Sequence, residues 1–100
     1  MTDAAVERYW ELLRYPGNRA ATAERFAAPR KAFAEQDLAA IKTPTLILWG
    51  ELDTLTPRDI GDAYNAAIKG SRFMVYKNVG HLPMEEAAEQ SARAVREFLY

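Results

Sequence analysis

Two short apolar runs of strand length, separated by a stretch with helical periodicity, constrain the fold of this chain most strongly. Residues 45–49 read TLILW and residues 73–76 read FMVY. Continuous apolar runs of this length are typical of strands in a parallel sheet that is covered on both faces. Residues 56–70 begin with TPRD, where Thr56 is expected to cap a helix, and end at Gly70. The pattern predicts a βαβ unit with parallel strands, and hence an α/β fold.

Helical segments are predicted on both sides of this unit. Apolar residues recur at helical spacing over residues 3–15, where Thr2 or Asp3 can supply the cap. A weaker helical stretch covers residues 19–28, and a last helix is expected from Pro83 to the C-terminus. The chain therefore consists of a βαβ unit with flanking helices.

The composition argues against several classes of function. The 13 basic and 14 acidic residues are scattered along the sequence, so nucleic acid is not an expected partner. The absence of cysteine excludes disulfides and a thiolate nucleophile. The N-terminus lacks the pattern of a signal peptide, and no apolar run approaches the roughly 18 residues that span a bilayer. We expect a cytoplasmic protein without membrane contact or cofactor.

Two polar residues follow the predicted strands and are the candidates for chemistry. Asp53 lies four residues past Trp49, and His81 lies five residues past Tyr76. Because the carboxyl ends of parallel strands open on one edge of the sheet, these two side chains can meet. A carboxylate bonded to one imidazole nitrogen fixes the tautomer and leaves the other nitrogen free as a base. In the alternative reading, Asp53 caps its loop or the next helix and His81 is solvated.

Three apolar residues near this pair are predicted to contact a substrate. They are Trp49, Leu52 and Leu82, which precede or adjoin the two candidate loops. For Trp49, packing in the core or in a pocket wall is the alternative.

The carboxylates near the pair have simpler interpretations. Glu51 is expected to be solvated, and Glu85 and Glu86 are expected to favour the start of the last helix through its dipole. A metal site formed by Glu51, Glu85 and the aspartate–histidine pair is conceivable, but nothing in the spacing requires it. We therefore expect no metal.

The two candidate loops also resemble those of a known family. Residues 41–53 (IKTPTLILWGELD) followed by residues 78–83 (NVGHLP) resemble the C-terminal part of α/β-hydrolase-fold enzymes. That family includes esterases, haloalkane dehalogenases, epoxide hydrolases and C–C hydrolases. The resemblance implies that Asp53 is the acid of a catalytic triad, that His81 is the base, and that the substrate is a small ester-like molecule.

The resemblance also implies a division of the chain. Residues 8–10 and 16–19 resemble, more loosely, the end of the helical cap that lies over the active site in the family. Residues 1–41 are accordingly expected to form a cap-like segment. Residues 42–100 are expected to form the C-terminal βαβα part of a truncated α/β-hydrolase domain.

One feature of the family is missing. The sequence has no G-x-S-x-G nucleophile motif, and its serines are Ser71, at the start of the second strand, and Ser91, inside the last helix. The nucleophile would then be water, a group from another subunit, or a residue in sequence not present. The alternative is an inactive hydrolase scaffold that serves as an oligomerisation or binding module. Unpaired sheet edges favour a homo-oligomer in either case.

Overall fold

The computed structural model describes residues 2–29 and 34–100, and these residues form six helices and two strands. The chain divides into two compact units, Met1–Ala32 and Phe33–Tyr100. The elements in chain order are α1 (Asp3–Arg14), α2 (Asn18–Ala27), α3 (Glu35–Ala39), β1 (Leu46–Gly50), α4 (Arg58–Ala67), β2 (Arg72–Tyr76), α5 (Pro83–Glu86) and α6 (Ala88–Leu99).

The first unit contains α1 and α2, both of which the periodicity predicts. The Thr2 hydroxyl accepts a hydrogen bond from the backbone N–H of Ala5 at 3.2 Å, which confirms Thr2 as the cap of α1. The side chain of Asn18 donates to the Leu12 carbonyl at 2.7 Å and so joins the end of α1 to the start of α2. Gly17 turns the chain between the helices with a φ of 89°. Neither helix buries a residue, so their apolar side chains are exposed.

The second unit contains the predicted βαβ arrangement. β1 and β2 are parallel, with Leu46 opposite Arg72 and Gly50 opposite Tyr76. α4 connects the strands and packs against both of them. The buried apolar residues of the core are Ala67, Ile68, Tyr76, Val79 and Ala94. The two strands therefore end side by side, and the loops that follow them leave from the same edge of the sheet.

Three local predictions differ from the structure. Residues 37–41 (DLAAI) predict a turn that leads into β1, whereas the structure has α3 there. The Asp37 carboxylate accepts the N–H of Ala34 at 3.0 Å and so stabilises a helix start. The predicted last helix is two helices, with a break at Ala87, whose φ of −131° is not helical. The spacing of small apolar residues does not distinguish one straight helix from two with a bend.

The third difference concerns the start of α4. The helix begins at Arg58, and Pro57 occupies the cap position without a side-chain hydrogen bond. Thr56 is therefore not the cap, since its hydroxyl is hydrogen-bonded to Asp53 instead. Within residues 2–29 and 34–100, every helix is too short or too polar to cross a bilayer.

Candidate functional site

The structure brings Asp53 and His81 together at the carboxyl edge of the sheet. His81 Nδ1 lies 2.8 Å from Asp53 Oδ2, which is hydrogen-bond distance. The Asp53 side chain is 5% exposed, whereas the His81 side chain is 46% exposed. The pair therefore combines a buried carboxylate with an imidazole that solvent or a ligand can reach.

Hydrogen bonds from its own loop hold the Asp53 carboxylate. Oδ1 accepts the backbone N–H groups of Leu55 at 2.9 Å and Thr56 at 3.0 Å, and Oδ2 accepts the Thr56 hydroxyl at 2.7 Å. Burial by itself raises the pKa of Asp53, but the hydrogen bonds from Thr56, His81 and Leu55 outweigh it and hold the pKa far below its ordinary value. Asp53 is thus ionised at any physiological pH.

The ionised carboxylate determines the tautomer of His81. A carboxylate only accepts hydrogen bonds, so Nδ1 must be the protonated nitrogen that donates to Asp53. Thr56 Oγ1 lies 3.3 Å from the same Nδ1, and its own proton is donated to Asp53. In the neutral imidazole, Nε2 then carries a free lone pair. Among the described residues, Nε2 has no hydrogen-bond partner, and the arrangement can take up a proton there.

Backbone hydrogen bonds fix the distance between the two loops. The N–H of Glu51 donates to the Tyr76 carbonyl at 3.0 Å, and the N–H of Leu52 donates to the Val79 carbonyl at 2.8 Å. The Glu51 carboxylate also accepts the N–H of Asn78 at 3.3 Å. These bonds continue the pairing of the strands beyond their ends and join residues 51–52 to residues 76–79.

The close approach of the two loops requires a glycine at the end of β1. A methyl group on Gly50 would overlap the carbonyl oxygens of Val79 and Gly80 and would lie 2.8 Å from the Gly80 carbonyl carbon. Atoms in folded proteins do not pack at such separations. Gly50 therefore allows the 79–80 backbone to cross directly over the strand end, which places His81 beside Asp53.

The three predicted substrate-contact residues lie in different surroundings. Trp49 packs edge-on against Tyr64 and Phe73, with ring centroids 6.3 and 6.4 Å apart, and its Nε1–H donates to the Thr56 carbonyl at 3.1 Å. Trp49 is half-buried, and these contacts are those of the packing alternative; a substrate contact of Trp49 stays a prediction. Leu52 is exposed and Leu82 is half-buried, each next to one member of the pair.

The conceivable metal site is not assembled. Across the two described ranges, no three potential ligand side chains are grouped closely enough to hold a metal ion. Glu51 binds the N–H of Asn78 instead of lying beside the pair.

Neither serine lies at the site. Ser71 immediately precedes β2 and is therefore at the opposite end of the sheet, where its hydroxyl donates to the Asn65 side chain at 2.9 Å. Ser91 is buried in α6 and its hydroxyl donates to the Ala88 carbonyl at 3.1 Å. Their positions agree with the sequence analysis.

The sequence does not identify Thr56 and Glu86 as residues of the site. Thr56 is predicted as a helix cap, but its hydroxyl donates to Asp53. An aspartate often bonds the backbone N–H two residues on, as Asp53 does with Leu55, and this turn pattern could have indicated the fold of the loop. Glu86 was assigned to the helix dipole, yet its carboxylate accepts the N–H groups of Gly80 at 2.9 Å and Leu82 at 3.1 Å. A glutamate one turn into a helix often bonds back to the backbone before that helix, and this pattern could have predicted the contact.

The chain is similar in sequence to known proteins. The sequence model of the family described as "alpha/beta hydrolase fold" matches residues 5–88. The 2-hydroxy-6-oxononadienedioate/2-hydroxy-6-oxononatrienedioate hydrolase 2 of Pseudomonas putida is 40% identical over 78 residues, covering 76% of this chain and 27% of that protein. The pimeloyl-(acyl-carrier protein) methyl ester esterase of Neisseria meningitidis serogroup A is 31% identical over 97 residues, covering 97% of this chain and 31% of that protein.

A solved structure extends the likeness to the fold. The meta-cleavage product hydrolase of Pseudomonas fluorescens IP01 superposes with a TM-score of 0.84 at 24% identity, covering 98% of this chain and 38% of that one. The chain thus spans about a third of the length of the relatives it matches.

Proposed function

Since the chain belongs to the α/β-hydrolase fold family, we propose that it carries the acid and the base of a hydrolase acting on ester-type bonds. Asp53 is the acid that orients the imidazole, and His81 is the general base. The observation that carries the proposal is the 2.8 Å hydrogen bond between them, made by a buried carboxylate to a ring that remains accessible. The relatives that match the chain are named as hydrolases and esterases.

The pair supports a direct hydrolytic step with water as the nucleophile. His81 Nε2 takes a proton from water as its oxygen adds to the ester carbonyl carbon. The tetrahedral intermediate then breaks the bond to the leaving oxygen, which receives that proton, so that a carboxylic acid and an alcohol are released. Asp53 stabilises the imidazolium that exists between the two proton transfers. In a second form of the proposal, a hydroxyl from another subunit replaces water as the nucleophile.

The substrate class follows from the family and from the residues beside the pair. Esters are the substrates named for the Neisseria relative, and we extend that class to a small ester-like molecule here. Leu52 and Leu82 adjoin Asp53 and His81 and would contact its apolar part. Residues 1–41 would form the cap-like segment, and residues 42–100 would form part of the hydrolase domain.

Association of the chain with itself is part of the proposal. In the described residues, each strand pairs only with the other, so each has one unpaired edge. Met84 and Leu99 border a shallow apolar groove and are 60% and 62% exposed. A second copy of the chain packed on this groove would remove the Met84 and Leu99 side chains from water. The expected cytoplasmic location remains a prediction.

An inactive scaffold is the second candidate function. The observation that favours it is the position of Ser71 and Ser91, neither of which His81 can activate within one chain. In this case the Asp53–His81 bond would be retained as a structural contact, and the chain would serve as an oligomerisation or binding module.

Hydrolysis of an activated aryl ester separates the two functions. We expect slow turnover by the full chain, lowered by about 10²-fold or more in His81→Ala and in Asp53→Asn, because a positioned general base contributes about 10²–10⁴-fold. Asp62→Asn is the matched control, since Asp62 is an exposed carboxylate on α4 that pairs with Arg58. The double variant should be no slower than His81→Ala if the pair acts as a unit. Equal rates in all proteins would favour the scaffold.

A further inference from the structure

The carboxylate of Glu86 accepts hydrogen bonds from the backbone on both sides of His81. Its Oε2 accepts the N–H of Gly80 at 2.9 Å, and its Oε1 accepts the N–H of Leu82 at 3.1 Å. Gly80 and Leu82 are the residues immediately before and after His81. One side chain therefore holds the backbone of the residue before His81 and of the residue after it.

The backbone of Glu86 is anchored to the same loop. The N–H groups of Glu85 and Glu86 both donate to the Leu82 carbonyl at 2.9 Å. Pro83 is buried at the first position of α5 and restricts the backbone there. Leu82 thus gives its carbonyl to α5 and its N–H to the Glu86 carboxylate, so the loop and α5 form one closed hydrogen-bonded unit.

Two further features favour these two hydrogen bonds. A methyl group on Gly80 would lie 3.2 and 3.3 Å from the two Glu86 carboxylate oxygens, which is tighter than most packed contacts. The absence of a side chain at Gly80 therefore leaves room for the carboxylate. The N–H groups of Gly80 and Leu82 also lower the pKa of Glu86, which keeps it in the ionised form that accepts both bonds.

The His81 ring depends on its backbone for its position. In the described part of the chain, its only polar contacts are those of Nδ1 with Asp53 and Thr56. Asp53, in contrast, is held by its own loop and stays in place whether or not the ring is near. The fraction of time that Nδ1 spends at hydrogen-bond distance from Asp53 therefore follows from how tightly the 80–82 backbone is held.

We infer that Glu86 is a positioning residue for His81. It holds the 80–82 backbone so that Nδ1 stays on Asp53 and Nε2 stays available as the base. Its effect on catalysis rests on the hydrolase function proposed above, whereas its effect on the ring does not. Within the described residues, the hydrogen bonds of the Glu86 carboxylate go to the backbone N–H groups of Gly80 and Leu82 and not to the His81 ring, so its action is through the backbone.

The test compares Glu86→Gln with Glu89→Gln in the full chain. Both substitutions remove one exposed carboxylate near the start of the C-terminal helices. In the described part of the chain, only Glu86 bonds the 80–82 backbone, whereas Glu89 lies in the first turn of α6. A glutamine amide offers one acceptor oxygen, and its NH₂ group would face the second N–H. We expect Glu86→Gln to raise amide hydrogen exchange at Gly80 and Leu82 by about tenfold or more. The ¹⁵N signals of the His81 ring should move from the Nδ1–H form towards a mixture of tautomers.

In the ester assay, Glu86→Gln should lower kcat by about tenfold and leave KM unchanged, because only the placement of the base is altered. Glu89→Gln should match the wild type in exchange, ring signals and rate. Unchanged exchange and unchanged ring signals in Glu86→Gln would overturn the inference.

The role of Glu86 can be tested even if the chain proves to have no hydrolase activity. If the wild-type chain has no His81-dependent turnover, the exchange and ring signals still decide the role of Glu86. If Glu86→Gln does not fold, through-hydrogen-bond couplings in the labelled wild type replace it. Couplings from the Gly80 and Leu82 nitrogens to the Glu86 carboxyl carbon are expected, and their absence would overturn the inference.

Discussion

Substitution of Gly50 by alanine should damage the candidate site more than the fold. The added methyl group would overlap the carbonyl oxygens of Val79 and Gly80, so the loop before His81 would have to shift on the order of 1 Å. Overpacking of this kind costs about 1–3 kcal/mol of stability. A displacement of about 1 Å in a catalytic group can lower the rate by about 10²-fold. We therefore expect a moderate loss of stability and a large loss of any His81-dependent activity.

The matched control is Gly70→Ala. Gly70 lies in the turn between α4 and β2 with a φ of 81°, and open space surrounds the position where a methyl group would be added. Alanine there costs about 1–2 kcal/mol from the left-handed backbone but touches nothing at the site. Urea unfolding should give similar losses for the two variants. Aryl ester hydrolysis and the ¹⁵N signals of the His81 ring should separate them.

Two outcomes would contradict this role of Gly50. If Gly50→Ala keeps both the rate and the ring signals of the wild type, the crossing of the 79–80 backbone over the strand end does not place His81. If Gly70→Ala loses the ring signals as well, the site responds to global stability and not to the local contact.

Three further predictions concern the Thr56 hydroxyl, the Asp53 carboxylate and the apolar groove beside Met84 and Leu99. Thr56→Val removes the hydroxyl bonded to Asp53 at 2.7 Å and should lower the free energy of unfolding by about 1.5–3 kcal/mol, while Thr56→Ser should largely restore it. The depressed pKa of Asp53 contributes stability that is present above the ordinary aspartate value of about 4 and is lost as the pH falls below it; the urea midpoint of Asp53→Asn should therefore fall less between pH 7 and pH 3 than that of the wild type. Light scattering should give a mass above 11.3 kDa, reduced to that of the monomer by Met84→Glu with Leu99→Glu; a wild-type monomer would contradict the proposed association.

The parts of the fold that repeat regularly were predictable from the sequence. The apolar runs at 45–49 and 73–76 specify two strands because each is too long and too apolar for a turn and too short for a helix. The structure confirms both, in parallel register from Leu46 to Gly50. α3 was not predictable in this way, because it is only five residues long and its start is stabilised by a side-chain bond, from the Ala34 N–H to the Asp37 carboxylate.

The sequence predicts that Asp53 and His81 form the candidate site, but it does not predict that Thr56 and Glu86 hold them in place. The rule that loops after parallel strands share one edge was enough to pair Asp53 with His81. Hydrophobic periodicity does not predict the roles of Thr56 and Glu86, because Thr56 lies in the loop before α4 and the Glu86 carboxylate bonds the backbone of the loop before α5. Only local turn and capping patterns give a signal for such contacts, and those patterns do not show which loop residues the side chain reaches.

The two members of the pair are held in different ways, and this difference bears on how the site works. Asp53 receives three hydrogen bonds from its own loop, within three residues of chain, so its position does not depend on the histidine. In the described residues, the His81 ring has no such support from its own loop. That loop is held by the Glu86 carboxylate, and it crosses the end of β1 because residue 50 is a glycine. The carboxylate is thus a fixed reference, and the imidazole is the element whose placement can vary. Perturbations of the histidine loop should therefore alter the base without disturbing the acid.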